Sequence, residues 1–219
     1  YTYSNTFYVS ESELGAYMTD IVNVFRSSAS VKHIDLTYES NFRYLNVWLD
    51  KDKMDSILKN IISNALKYTP EGGSVHVYAY ETEDTWNVEV SDTGIGIPLD
   101  EQKKLFKMHF RGSNAINSKV TGSGIGLLLV WKLVHMHKGK LNFTSTEGKG
   151  SCIKVSFPKG EKRYRKAIHR PAPTKEQEQN NEPEQITSPE KGTPDTPAFN
   201  TPIEGYEHAP QQTQDAGTR

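Results

Sequence analysis

Met54-Asp55-Ser56-Ile57-Leu58-Lys59-Asn60-Ile61-Ile62-Ser63-Asn64-Ala65-Leu66-Lys67-Tyr68-Thr69-Pro70 lays two patterns on one predicted helix. Met54, Ile57, Leu58, Ile61, Ile62, Ala65 and Leu66 recur at the three- and four-residue spacing of an amphipathic helix, and the stripe stops before Pro70, which cannot continue it. At about 100° per residue, Asn60, Asn64 and Lys67 fall on a narrow strip about 100° round from the centre of that stripe. Such a row flanks the buried face and can look into a cleft. An asparagine amide oxygen suits Mg²⁺, and a lysine is a point charge for phosphate. The same residues are ordinary on a solvent-facing helix, and that reading stands beside the first. Two asparagines inside a helix are unfavourable by propensity, which makes a purely structural role less economical.

Upstream of this stretch, Ser10 and Glu13 are spaced as a capping box, with Leu14, Met18, Ile21, Val22 and Phe25 following at helical period. Ile34-Leu36-Tyr38 and Val47-Leu49 alternate as two short strands. Downstream, Val75-Val77-Ala79 and Trp86-Val88-Val90 alternate around a polar link and predict an antiparallel hairpin. A short helix is expected near 100–106, an irregular polar segment over 111–123, and a strongly apolar helix over 125–137 stopped by Gly139. Leu141-Phe143 and Ile153-Val155-Phe157 form a last hairpin around Glu147-Gly148-Lys149-Gly150. The sum is an α+β chain, a two-layer α/β sandwich in which a mixed sheet carries its helices on one face. Trp86 and Trp131 are expected to be plain packing, and Cys152 a small core residue.

The chain has 219 residues, of which 35% are hydrophobic, and its mean hydropathy of −0.67 is low for a fully globular chain. The dilution lies at the C-terminal end: eight of the eleven prolines fall in residues 171–219, among Gln, Glu and Thr. This segment cannot bury enough apolar surface to offset chain entropy, so a disordered linker or tail is expected there. A basic border over 159–170 and a folded domain over 1–158 precede it. With 26 Lys and Arg against 27 Asp and Glu, no overall positive field draws the chain to nucleic acid or anionic lipid. No run approaches the roughly 18 apolar residues of a membrane span, and no signal-peptide layout opens the chain. A single cysteine forms no intrachain disulfide, which suits a reducing cytoplasm. The opening at Tyr1, without an initiator methionine, leads us to expect a piece of a longer polypeptide.

Two glycine-bearing turns complete the pattern. Asp92-Thr93-Gly94-Ile95-Gly96-Ile97-Pro98 follows a predicted strand directly. A carboxylate there can accept from an amino group such as the exocyclic amine of adenine, with glycines letting the backbone approach the ring; an ordinary Asp-Xaa-Gly turn is the alternative. Thr121-Gly122-Ser123-Gly124-Ile125-Gly126 opens a helix, where successive N–H groups meet phosphate oxygens at the positive end of the dipole. It lacks the Gly-Lys-Ser/Thr ending of a Walker loop and the preceding buried strand of a Rossmann fingerprint.

Taken in order, Asn60 through Thr69, Asp92-Xaa-Gly94-Xaa-Gly96, Phe106 with Phe110-Arg111, and Gly122-Xaa-Gly124-Xaa-Gly126-Leu127 resemble the asparagine box, first glycine box, phenylalanine box and second glycine box of sensor histidine kinases. Those kinases share an ATPase family with DNA gyrase, Hsp90 and MutL, and the resemblance covers nearly all of residues 10–158. It implies a Bergerat-type ATP-binding fold with ATP and Mg²⁺ as cofactors. Asn64 would hold Mg²⁺, Asn60 would partner it toward the phosphates and the attacking group, and Lys67 would contact phosphate. Tyr68 would lie against adenine, whose amino group Asp92 would take, with Gly94, Gly96 and Ile97 shaping the pocket. Gly122, Ser123, Gly124, Ile125, Gly126 and Leu127 would carry the triphosphate and hinge a lid over 112–121. Arg111 would reach the γ-phosphate, while Phe106 and Phe110 stand equally as lid anchors or core aromatics.

Position 60 separates branches of that family. Its hydrolases place an acid near this point to activate water, whereas kinases place asparagine, and an amide is no general base near neutral pH. The resemblance therefore implies phosphoryl transfer to a histidine in two-component signalling rather than rapid hydrolysis, with a binding module holding a relic pocket as the other class of answer. None of the seven histidines is followed by the acid that opens the phosphoacceptor motif. An upstream dimerisation and acceptor domain is thus implied, as are a homodimeric, membrane-anchored parent, a monomeric cytoplasmic fragment and a receiver domain beyond the tail.

Overall fold

A computed structural model describes residues 6–105, 125–164 and 168–169. The chain divides into two units, Tyr1–Thr174 and Lys175–Arg219, and every described residue belongs to the first. The expected linker, the phenylalanine box, the lid and the glycines at 122 and 124 lie outside the described residues.

The main sheet has five strands in the order β2 (Asp35–Ser40), β4 (Ser74–Glu81), β5 (Thr85–Asp92), β7 (Gly150–Pro158), β6 (Lys140–Thr146). β2 runs parallel to β4 and the remaining pairs are antiparallel, so the sheet is mixed as expected. Val77 opposes Val90 and Val88 opposes Val155, which puts one continuous apolar face across three strands. Against that face pack α1 (Leu14–Val31), α2 (Lys51–Tyr68) and α4 (Gly126–Met136), burying Met18, Ile21, Ile57, Leu58, Ile61, Ile62, Val130 and Leu133. Trp86 and Phe157 stack tilted at 4.5 Å within this core. A second sheet, β3 (Asn46–Leu49), β1 (Tyr8–Glu13) and the short β8 (Ile168–His169), closes one end. Packing runs past Pro158: Tyr164, in a 3₁₀ turn over Glu161–Tyr164, is buried, and β8 pairs in parallel with β1. Between β5 and α4 the described chain includes only the short α3 (Leu99–Gln102).

Four local expectations are corrected. Ser10 lies in a strand, and α1 is capped instead by Glu13, whose carboxylate accepts from Gly15 N at 2.9 Å and Ala16 N at 2.6 Å. The left-handed residue that ends α4 is Lys138, φ 54°, one position before Gly139. Cys152 is only half-buried, because Ile153 and Val155 take the inner face and alternation turns Cys152 to the outer one. Trp131 is 41% exposed and lies on His135 one turn along, with ring centroids 4.2 Å apart, rather than in the core.

Candidate nucleotide site

α2 presents its two faces as the spacing required. Ile57, Leu58, Ile61, Ile62, Ala65 and Leu66 are buried, while Asn60, Asn64, Lys67 and Tyr68 are half-buried along the edge of that stripe. The first residue of α4 stands against this row. A Cβ added to Gly126 would lie 2.7 Å from Asn60 Oδ1 and 3.8 Å from Asn64 Nδ2, so only glycine lets the helix start come this close. The Asn60 amide N–H donates back to Ser56 O at 2.7 Å, which fixes its carbonyl oxygen toward Gly126. No hydrogen-bond partner meets the Asn64 amide or the Lys67 ammonium among the described residues. The Lys67 ammonium lies over the Tyr68 ring, 5.2 Å from its centroid, within cation–π range.

The turn after β5 docks on the other end of the row. Ile95 N donates to Tyr68 O at 3.1 Å, and a Cβ on Gly94 would stand 2.6 Å from that same oxygen. Asp92 Oδ1 accepts from Gly94 N at 2.8 Å and Ser151 N at 3.3 Å. Burial raises the Asp92 carboxyl above the ordinary aspartate value, against the opposing pull of those two N–H bonds. Both of these backbone bonds fall on Oδ1. Gly96, at φ 61°, runs against the Thr146 carbonyl, where a side chain has no room.

Sequence reasoning missed the groups that hold this turn. Ser145 Oγ accepts from Ile97 N at 2.8 Å and donates to Gly150 O at 3.0 Å, and Gln102 Nε2 donates to both Ile97 O and Ser145 O at 3.0 Å. Thr93 Oγ1 accepts from Ser74 N at 2.9 Å. Nothing in the spacing of these common polar residues distinguishes them, because their partners are set by register between distant segments.

The described residues thus bring together Asn60, Asn64 and Gly126 at one point and Lys67, Tyr68, Asp92 and Gly94 at another, joined by a single helix. Gly96 and Ile97 lie farther along the turn, stapled to the last hairpin. Ile125 is 40% exposed at the mouth of α4, and Leu127 is packed partly on the core. Phe110, Arg111, Gly122, Ser123 and Gly124 lie outside the described residues, as does Phe106. Among the described residues no cluster of three His, Cys, Asp or Glu could hold a metal, and no helix is long and apolar enough to cross a membrane.

Comparison with known proteins fits this geometry. Residues 49–161 match the family described as histidine kinase-, DNA gyrase B- and HSP90-like ATPases, and the chain belongs to that family. It is 37% identical over 144 residues to the sensor histidine kinase WalK of Bacillus subtilis, spanning 65% of this chain and 23% of WalK. It is 40% identical over 113 residues to the adaptive-response sensory kinase SasA of Thermosynechococcus vestitus, 51% of this chain and 29% of SasA. The chain thus spans less than a third of these curated relatives. Among solved structures, the nucleotide-free catalytic domain of histidine kinase ThkA superposes with a TM-score of 0.61 at 24% identity, covering 69% of this chain and 97% of that domain, which shows the same α+β fold.

Proposed function

We propose that this chain binds Mg·ATP and passes the γ-phosphoryl group to a histidine on a dimerisation and acceptor domain outside the sequence, as one step of two-component signalling. The observation that carries the proposal is the Asn60 amide set against Gly126, beside Asn64, where a water-activating hydrolase needs an acid.

The second oxygen of Asp92 accepts from the adenine amine, and Tyr68 offers its ring to the base. Lys67, one residue away, swings its ammonium from the Tyr68 ring toward the phosphates. The N–H groups at the start of α4 face the phosphate oxygens. Mg²⁺ fits the donor set, since hard amide oxygens suit it and it takes few protein ligands when phosphates and water complete its shell. Asn64 would hold it with Asn60 beside it, and when bound it supplies charge neutralisation between the phosphates. Phosphoryl transfer asks mainly for positioning and charge neutralisation. A nitrogen of the acceptor imidazole, unprotonated, forms the new N–P bond as the bond from phosphorus to the bridging oxygen breaks, and ADP leaves with that oxygen.

The wider assignment is part of the same reading. The catalytic domain fills residues 1–158, the basic segment 159–170 packs on it in part through Tyr164, and residues 171–219 form a linker toward a receiver domain. The parent is a membrane-anchored homodimer, and this part of it is cytoplasmic and monomeric by itself. The test is incubation of the chain with γ-labelled ATP and its cognate acceptor domain. Acid-labile, base-stable label on the acceptor is expected, with negligible label on the chain alone. Acid-stable label, or none with several folded cognate acceptors, would replace the kinase with a binding module.

A further inference from the structure

We infer that Lys32, remote in sequence from every box, is a positioning residue for the nucleotide site; the inference rests on the site proposed above. The last carbonyls of a helix have no partner within it, and α2 ends where the site begins. Lys32 Nζ donates to Leu66 O and, at 3.0 Å, to Thr69 O, with Lys67 O at 3.4 Å. The intervening carbonyl, Tyr68 O, takes Ile95 N from the Asp92 turn at 3.1 Å. Ala65 O is taken by Thr69 N at 3.0 Å and by Thr69 Oγ1 at 2.7 Å. Every carbonyl from Ala65 to Thr69 is therefore engaged, and the two that flank Tyr68 meet one ammonium.

This arrangement fixes the peptide planes on both sides of Tyr68. Those planes set the direction in which Lys67 and Tyr68 leave the helix, and they set the oxygen on which the Asp92 turn docks. A cation at the negative end of a helix dipole is also favourable in charge. Lys32 is itself held rigidly. Ile34 N donates to Ala29 O at 2.9 Å, Gly72 N to His33 O at 3.1 Å and Asp35 N to Gly73 O at 2.9 Å, while His33 sits at φ 51°. The ammonium is thus delivered by a turn pinned to α1 on one side and to the loop after α2 on the other. Its three contacts are backbone carbonyls, so it acts through Lys67, Tyr68 and Ile95.

The experiment titrates ADP with Mg²⁺ into the full chain as wild type, Lys32→Met and Lys32→Arg, at a temperature where each is folded by circular dichroism. Lys32→Met is expected to raise Kd about tenfold, the size that loss of an outer-shell partner commonly carries, and Lys32→Arg to recover most of it. Hydrogen exchange at the Ile95 amide is expected to speed up in Lys32→Met and return in Lys32→Arg. A lowered Tm with unchanged Kd would assign Lys32 to stability alone and overturn the inference. Failure of wild type to bind removes the nucleotide site and this inference with it, whereas wild-type binding with an indifferent Lys32→Met removes the inference only. If Lys32→Met does not fold, linkage supplies a reading on the wild type, because the clamp and the nucleotide must strengthen each other by the same factor. Saturating ADP should then slow acetylation of Lys32 severalfold, and an unchanged rate overturns the proposal.

Discussion

Both ends of α2 are polar, and they are built in opposite ways. At its start Asp50 is 2% exposed and both of its carboxylate oxygens are taken: Oδ1 by Lys53 N at 3.2 Å, Oδ2 by Tyr8 N at 2.9 Å and by Lys53 Nζ at 3.1 Å. The same ammonium reaches Thr6 O at 2.7 Å, and Asp50 N donates to His137 Nε2 at 3.3 Å. His137 Nδ1 stands 2.9 Å from Leu133 O, so a neutral imidazole with its proton on Nδ1 satisfies both sides. The network closes on itself and ties β1, α2 and the end of α4 together. Toward the other end Asn60, Asn64, Lys67 and Asp92 are half-buried, and among the described residues their hydrogen-bonding capacity is only partly spent. A buried polar group with every valence used reads as architecture, and one left open at a cleft edge reads as a ligand site.

The sharpest way to break that contrast is to mutate each end and ask which quantity moves. Asn64→Ala is expected to cost phosphoryl transfer about 10³-fold or more, the several kcal/mol that a bound metal contributes, while Tm stays near wild type. Asp50→Ala should do the reverse. Removing one partner of a buried pair strands the Lys53 ammonium, for a loss of about 3 to 5 kcal/mol in denaturant unfolding, with Kd for ATP unchanged in the molecules that remain folded. An Asn64→Ala protein that loses stability, or a folded Asp50→Ala protein that loses affinity, would erase the distinction.

The same contrast explains what the sequence disclosed. The helices, the β4–β5 hairpin and the β6–β7 hairpin are legible because each is set by local period and by turn residues. The residues proposed for the open site stand out in the sequence because polar groups beside an apolar stripe, and glycines after a strand, break an expected pattern. The closed network was invisible. Asp50, Lys53 and His137 are separated by up to 87 positions, and each is an ordinary residue where it stands. Lys32 and Ser145 were missed for the same reason. Trp131 was misassigned because helical period alone does not say how wide the covered face of α4 is.

Acid provides a finer test of the closed end. Burial pulls His137 from an ordinary value of 6.5 down to about 4, because the charged ring loses its water, and this outweighs the opposing pull of Leu133 O and of the Asp50 carboxylate. Between those values the unfolded chain binds a proton that the folded chain does not. Stability therefore falls as pH drops from about 6.5 toward 4, by on the order of 3 kcal/mol, and below that window the loss is complete. In His137→Phe this part of the slope should vanish, at the cost of a pH-independent loss from the unpaired Asp50 N–H. Equal acid slopes in the two proteins would remove His137 from the closed network.

The smallest expected effect tests the open end. Asp92→Asn preserves size and can keep the bond from Gly94 N, but it turns an amide N–H₂ toward the adenine amine, donor against donor. ATP binding should weaken by about 1.5 to 3 kcal/mol in isothermal titration, the loss of one charge-assisted hydrogen bond, with little change in stability. The preference for ATP over GTP should narrow alongside it. The pH dependence has a definite sign. Only the ionised Asp92 accepts from the base, and burial has raised its pKa, so the advantage of wild type over Asp92→Asn is full above that pKa and shrinks as pH falls through it. Because the nucleotide's own titration is common to both proteins, the ratio of their Kd values isolates the carboxylate. The shrinkage should begin at a higher pH than an ordinary aspartate allows. A ratio that stays constant down to pH 4, or a wild type that binds GTP as well as ATP, would leave Asp92 as a turn residue and move the reading of adenine to another group.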